Sequence, residues 1–344
     1  MKRLLLFLLI NAMLLPLKTA GWGFYAHRRI DRLAVFTLPP EMIGFYKKHI
    51  VYITETSTKP DSRRTIVPGE APKHYIDIDI YGDSAVYKMP RFWKEAVAKY
   101  GEDTLMAYGI VPWHINLMKF QLTEAFKARD ADKILRLSSE MGHYIADACV
   151  PLHTTHNYNG QFTGQRGIHA LWESRLPELL AHNYDFFVGP ATYIDNPQHR
   201  AWDAVTRSHL ALDSVLSFEK KVTAEFDEDR KYSFEDRNGV NTRVYSRDFC
   251  EAYHRKLNGQ VERQMRYAIA LTGSFWYTCW VDAGQPDLNK LAGISEQEKQ
   301  KLEQEEKQEQ QPRQVIPVRP EAAIPGAVPS VASAADQFHS CAFH

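Results

Sequence analysis

The sequence predicts an all-α protein, a single multi-helix bundle, and three observations carry that expectation. Apolar residues recur at intervals of three and four along most of the chain, the period of one helix face. The breaks between these stretches fall at helix-stopping positions, among them Pro39-Pro40, Gly101 and Asp130. Alternating strand patterns are scarce. Residues 74–80 (His-Tyr-Ile-Asp-Ile-Asp-Ile) do alternate, so a short extended stretch is expected there.

Taken in order, the first element is a targeting segment. Lys2 and Arg3 form a positive end, residues 4–15 form an apolar run, Pro16 breaks it, and Thr19-Ala20-Gly21 are small enough for cleavage. The run falls short of the ~20 residues of a membrane span. Residues 1–21 are therefore read as a signal peptide, with an uncleaved interfacial anchor as the alternative. The expected location is secreted or periplasmic, and no stable membrane span is expected in the mature form.

Helical periodicity follows over residues 30–49, interrupted at Pro39-Pro40, then over 84–100, 104–128, 131–148, 171–182, 199–226 and 245–281. After about residue 286 the composition changes. Residues 296–311 are nearly all Glu, Gln and Lys, and a Pro/Ala/Val/Ser stretch runs from Pro312 to Ala335. This reads as a low-complexity tail, 286–344, expected to be disordered or weakly helical, which leaves 22–285 as the helical domain. The chain has 344 residues, 44% hydrophobic, enough for a sizeable core. Its formal net charge of zero gives no electrostatic footprint for duplex nucleic acid. Export permits disulfides for the four cysteines, Cys149, Cys250, Cys279 and Cys341. Cys250 with Cys279 is a candidate pair that sequence leaves open.

The chemistry is concentrated between Gly142 and Glu173. His143 and Asp147 stand four apart on a predicted helix, which puts both side chains on one face, one turn apart. His153 follows Pro151, where the helix should end. His169 and Glu173 repeat the four-residue spacing. Imidazole and carboxylate on adjacent turns form a natural zinc half-site. One such pair is more often a surface hydrogen bond. Two pairs with a histidine between them, in apolar surroundings where unpaired polar groups are costly, point to metal.

Upstream, Asp61 and Arg64 precede His74 and Asp77. Asp61 alone would read as a solvated loop residue, and Asp77, which alternates with Asp79, as a structural one. If cleavage leaves Trp22 first, its free α-amino group and carbonyl oxygen can chelate a metal, with His27 nearby. The bland readings are a buried aromatic for Trp22 and a polar residue at a helix start for His27. His114 and His156 lie near the motif as cleft residues, Trp113 reads as core, and His339 and His344 fall in the tail.

This ordered set resembles the trinuclear-zinc phosphoesterases, which include bacterial zinc-dependent phospholipase C and the fungal and plant single-strand zinc nucleases. The pattern is an N-terminal Trp, an early His, an Asp and a His, then His-x3-Asp-x5-His and His-x3-Glu or His-x3-Asp. Here it reads Trp22, His27, Asp61, His74, His143, Asp147, His153, His169 and Glu173, within residues 22–285.

The resemblance implies three zinc ions in a cleft of the bundle. Asp61, His74, His143 and Asp147 would hold the first, and His153, His169 and Glu173 the second. Trp22, His27 and Asp147 would hold the third, which makes Asp147 a bridge. It implies hydrolysis of a phosphodiester by metal-activated hydroxide, with Asp61 orienting or deprotonating the nucleophile and Arg64 contacting phosphate.

Glu173 matches the phospholipase branch. The Trp22-to-His27 spacing and Asp77, which in the nucleases helps bind the base, look more like the nuclease branch. The expected substrate is thus a phospholipid head group or single-stranded nucleic acid, with phospholipase C-like hydrolysis preferred on Glu173, and no protein partner is inferred. A competing reading of a different class is a non-catalytic zinc-binding interaction protein of the cell envelope, with closed structural sites.

Overall fold

In the computed structural model the described residues are 23–237, 240–291 and 293–309. The expected signal segment, Trp22, Cys341, His339 and His344 lie outside them. The described chain is all-α, with one two-stranded antiparallel hairpin.

Nine of its helices have eight or more residues: α1 (Phe24–Ala34), α2 (Pro40–Lys48), α3 (Trp93–Tyr100), α4 (Val111–Ala128), α5 (Ala131–Ala148), α6 (Pro197–Glu225), α7 (Arg247–Leu257), α8 (Gln260–Asp282) and α9 (Glu296–Glu309). None is long and apolar enough to cross a membrane.

Several expected helices are subdivided, for local reasons. Pro90 divides 84–100 into Ala85–Lys88 and α3. Gly109 divides 104–128: its φ of +95° suits glycine, and a Cβ there would meet the Tyr75 carbonyl oxygen at 2.1 Å. Asn258, left-handed at φ 47°, and Gly259 separate α7 from α8.

The short stretch expected at 74–80 is not a strand. Tyr75 is extended, but the flanking residues form 3-10 turns, Ala71–His74 and Ile78–Tyr81. The amides of Ile76 and Asp77 donate to His153 O (2.9 Å) and Tyr108 O (2.7 Å), so the 3-10 turn Pro151–Thr154 and the end of the helix Glu102–Tyr108, rather than a neighbouring strand, satisfy them. The hairpin that does form, β1 (Tyr232–Arg237) with β2 (Val240–Tyr245), was not anticipated from the sequence.

α5 is the centre of the bundle. Asp130 caps its N-terminus by accepting from Lys133 N at 3.1 Å. Its first half buries one face, and from Met141 to Ala148 every residue is buried. α4 lies antiparallel beside it across the left-handed Arg129, and α8 and α1 pack on its other sides. Trp276 of α8 donates its indole N–H to Ser138 O at 2.9 Å and stacks on Tyr46 at 5.2 Å. Trp113 is core, as expected, edge-on to Trp202 at 5.0 Å.

Packing continues past residue 285. Trp280 donates to Pro286 O at 2.9 Å, Leu288 is buried, and Ser295 bonds Asp132. Tyr52 then donates to Glu298 at 3.0 Å, so the start of the expected tail is docked by specific polar contacts. Cys149, Cys250 and Cys279 are free and buried. The candidate Cys250–Cys279 bridge is absent because the sulfurs have different neighbours: Tyr245 O at 3.9 Å for Cys250 and Lys119 O at 3.5 Å for Cys279.

Candidate metal centre

The expected ligands come from chain segments that meet only through packing. α1 supplies His27, the short helix Lys59–Arg63 supplies Asp61, and the 3-10 turn Ala71–His74 supplies His74. The buried end of α5 supplies His143 and Asp147, and the turn after Pro151 supplies His153. His169 and Glu173 flank the start of a π-helical turn, Leu171–Arg175. That turn is held by Arg175, whose guanidinium donates to Glu235 of β1 and to Tyr245 O at 3.1 Å.

These eight residues converge in three groups, the first two sharing His143: His27, Asp61 and His143; His74, His143 and Asp147; and His153, His169 and Glu173. Within each group the donor atoms lie within 4.8 Å of one another.

Asp147 contacts members of all three groups. Its Oδ2 lies 2.8 Å from His74 Nδ1 and 3.2 Å from His143 Nε2. Its Oδ1 faces His27 Nε2 at 3.6 Å and His153 Nδ1 at 3.4 Å. Asp61 reaches the same histidines from the other side, with Oδ1 3.8 Å from His74 Nδ1 and from His143 Nε2, and Oδ2 4.0 Å from His27 Nε2. In the remaining group, Glu173 Oε2 lies 2.8 Å from His169 Nε2 and 3.3 Å from His153 Nε2.

Two backbone carbonyls fix ring orientation. His143 Nδ1 donates to Ser57 O and His153 Nδ1 to His74 O, both at 2.8 Å. In the neutral ring each Nε2 then carries a lone pair. His143 Nε2 points it at His74 Nδ1 (3.1 Å) and Asp147, and His153 Nε2 at His169 Nε2 (3.1 Å) and Glu173. Lone pairs and carboxylate oxygens aimed at one another in a buried space require positive charge between them.

The electrostatics agree. Burial works against charge on Asp147, but His143 and His153 outweigh it and hold the carboxyl well below its usual range. His169 and His153 do the same for Glu173. Burial, reinforced by His143, lowers His27, and burial lowers His74. His143 is raised: burial opposes its charge, and Asp147 and Asp61 overcome that. The donor set of imidazoles and carboxylates, with its demand for cationic charge, fits zinc.

The least enclosed side chains at the centre are His169 and Arg64, 16% and 13% exposed. Arg64 Nη1 sits 3.7 Å from Asp61 Oδ1. Asp77 is fully buried, with Oδ2 3.2 Å from His156 Nδ1, which suits the structural reading of that residue. His156 also stacks on the exposed Phe162 at 5.4 Å. His114 stands edge-on to Tyr144 at 4.5 Å, and burial pushes its pKa down to about 3.

Sequence reasoning passed over Glu70, Tyr144 and Asp31. Glu70 precedes His74 by four residues, the spacing that singled out His143 and Asp147, so that signal was present. Asp31, four residues after His27, shares that spacing too; its buried oxygens are without hydrogen-bond partners among the described residues. No family model matches this chain, and no curated protein matches it.

Proposed function

We propose that this chain is a zinc-dependent phosphoesterase that hydrolyses a phosphodiester, with phospholipase C-like substrates preferred and single-stranded nucleic acid as the alternative. One observation carries the reading: eight histidines and carboxylates from distant segments converge into three adjacent ligand groups linked by the carboxylate of Asp147.

His74, His143, Asp147 and Asp61 would hold one ion, and His153, His169 and Glu173 a second. His27 and the other oxygen of Asp147 would contribute to a third. When bound, zinc supplies Lewis-acid polarisation of the phosphoryl group and lowers the pKa of water.

The chain's own residues do the rest. Asp61 Oδ2, buried and without a hydrogen-bond partner among the described residues, takes the proton of the attacking water. The water oxygen bonds phosphorus, the P–O ester bond breaks, and the departing oxygen takes up the proton that Asp61 accepted. Arg64, fixed beside Asp61, binds a phosphoryl oxygen through a charge-assisted contact. The carbonyls of Ser57 and His74 keep His143 and His153 turned inward throughout.

Purified mature protein is expected to contain close to three zinc ions and to cleave a generic phosphodiester. Parallel assays on phosphatidylcholine and single-stranded DNA identify the substrate. Full activity in a metal-free preparation would overturn the reading. Metal without hydrolysis of any phosphoester would favour the non-catalytic envelope protein.

A further inference from the structure

The side of His74 that faces away from the metal groups has an organised environment of its own. His74 Nδ1 points at Asp147 and His143, whereas Nε2 is buried and without a hydrogen-bond partner among the described residues. The carboxylate facing that nitrogen is Glu70, whose Oε1 lies 3.9 Å away.

Glu70 is only 2% exposed. A carboxylate so buried needs compensation, and three groups supply it. Tyr144 donates its hydroxyl to Oε1, Lys73 Nζ lies 2.7 Å from Oε2, and Arg63 Nη2 lies 3.5 Å from Oε1. Arg63 is itself anchored by Nη1 to Glu140 at 2.9 Å. Tyr144 belongs to α5, next to His143, and its ring stands edge-on to His74 at 5.2 Å. The network therefore ties the 3-10 turn to the helix bearing two other ligands.

We propose that Glu70 is a positioning residue for the first metal group: its carboxylate keeps the ring proton of His74 on Nε2, so that Nδ1 is presented as a lone pair. The inference rests on the zinc reading above. Its physical basis is that a neutral imidazole carries one proton, and that a ligating nitrogen must not bear it. With Nδ1 facing the centre, the proton belongs on Nε2, and a carboxylate there stabilises that tautomer. Carboxylate partners of this kind are typically worth ~10–100-fold in metal affinity.

The test uses the full mature chain loaded with zinc. Glu70→Gln is expected to release one zinc at about 10–100-fold lower chelator concentration than the parent, while the other ions stay. The same substitution in a His74→Ala background is expected to change zinc retention no further. A merely structural Glu70 would weaken both backgrounds equally, and that result overturns the proposal, as does equal retention by Glu70→Gln and the parent.

If Glu70→Gln fails to fold, nitrogen-15 spectra of the unmutated zinc protein decide instead. A protonated Nε2 on His74 supports the proposal and a protonated Nδ1 overturns it. Absence of zinc from the parent protein would instead be a failure of the functional reading, so the two failures are distinguishable.

Discussion

The imidazole rings of His27 and His143 stack at 3.9 Å with only 16° between their planes. One ring comes from α1 and the other from α5, and the stacking requires these helices to approach closely. Gly142, the neighbour of His143, permits it: a Cβ there would sit 2.0 Å from Asp31 Oδ1, one turn beyond His27.

Gly142→Ala is therefore expected to push α1 off α5. Overpacking of this kind costs about 1–3 kcal/mol. Thermal denaturation should show the loss, and zinc counting should show fewer ions because His27 moves with α1. A variant with unchanged stability and metal content would contradict the close approach of the two helices.

Asp31 itself gives a pH prediction. Burial raises its carboxyl well above the ordinary value. The folded state then holds a proton that the unfolded chain, with a pKa of about 3.9, releases. For a raised acid the stability falls as pH rises from the unfolded pKa through the folded one. Asp31→Asn cannot ionise, so it escapes that loss. Each tenfold difference in proton affinity between the folded and unfolded chains corresponds to about 1.4 kcal/mol. The variant should gain stability over the parent as pH rises from the unfolded value of about 3.9, measured by denaturant unfolding across that rise. A constant difference across that range would refute this.

Asp147 and Glu173 should differ in how many ions they govern. Asp147 presents Oδ2 to one set of histidines and Oδ1 to another, whereas Glu173 serves His153 and His169. Asp147→Asn is expected to release two zinc ions and Glu173→Gln one. Native mass spectrometry counts them, and equal losses would exclude a bridge.

Metal removal should destabilise the bundle. A site filled at a thousand times its dissociation constant adds ~4 kcal/mol to the folded state. Chelation is expected to lower the melting temperature, and acidification through the histidine range near ~6.5 to have the same effect as protons displace metal. An unchanged melting temperature after complete chelation would argue against metal among these residues.

Much of this was legible in the order of residues alone. Helix class follows from local periodicity, and the pairs His143–Asp147 and His169–Glu173 follow from spacing, because a helix repeats every ~3.6 residues. The breaks at Pro90, Gly109 and Asn258-Gly259 are equally local, yet apolar periodicity carries across a single stop signal and hides them. The extended reading of 74–80 failed because its alternation does not mark one buried and one exposed face: Tyr75, Ile76, Asp77 and Ile78 are all buried.

By itself the sequence determined an α-helical chain with an ordered set of histidines and carboxylates at metal-ligand spacing. Only the tertiary structure decided which oxygen of Asp147 faces His27, that Glu70 stands behind His74, and that Asp31 lies buried against Gly142. Two of those relationships join residues more than a hundred positions apart, and the third depends on the turn that Tyr144 of α5 packs against. Local backbone geometry cannot specify them; they arise when α1, the 3-10 turn and α5 bury their faces against one another.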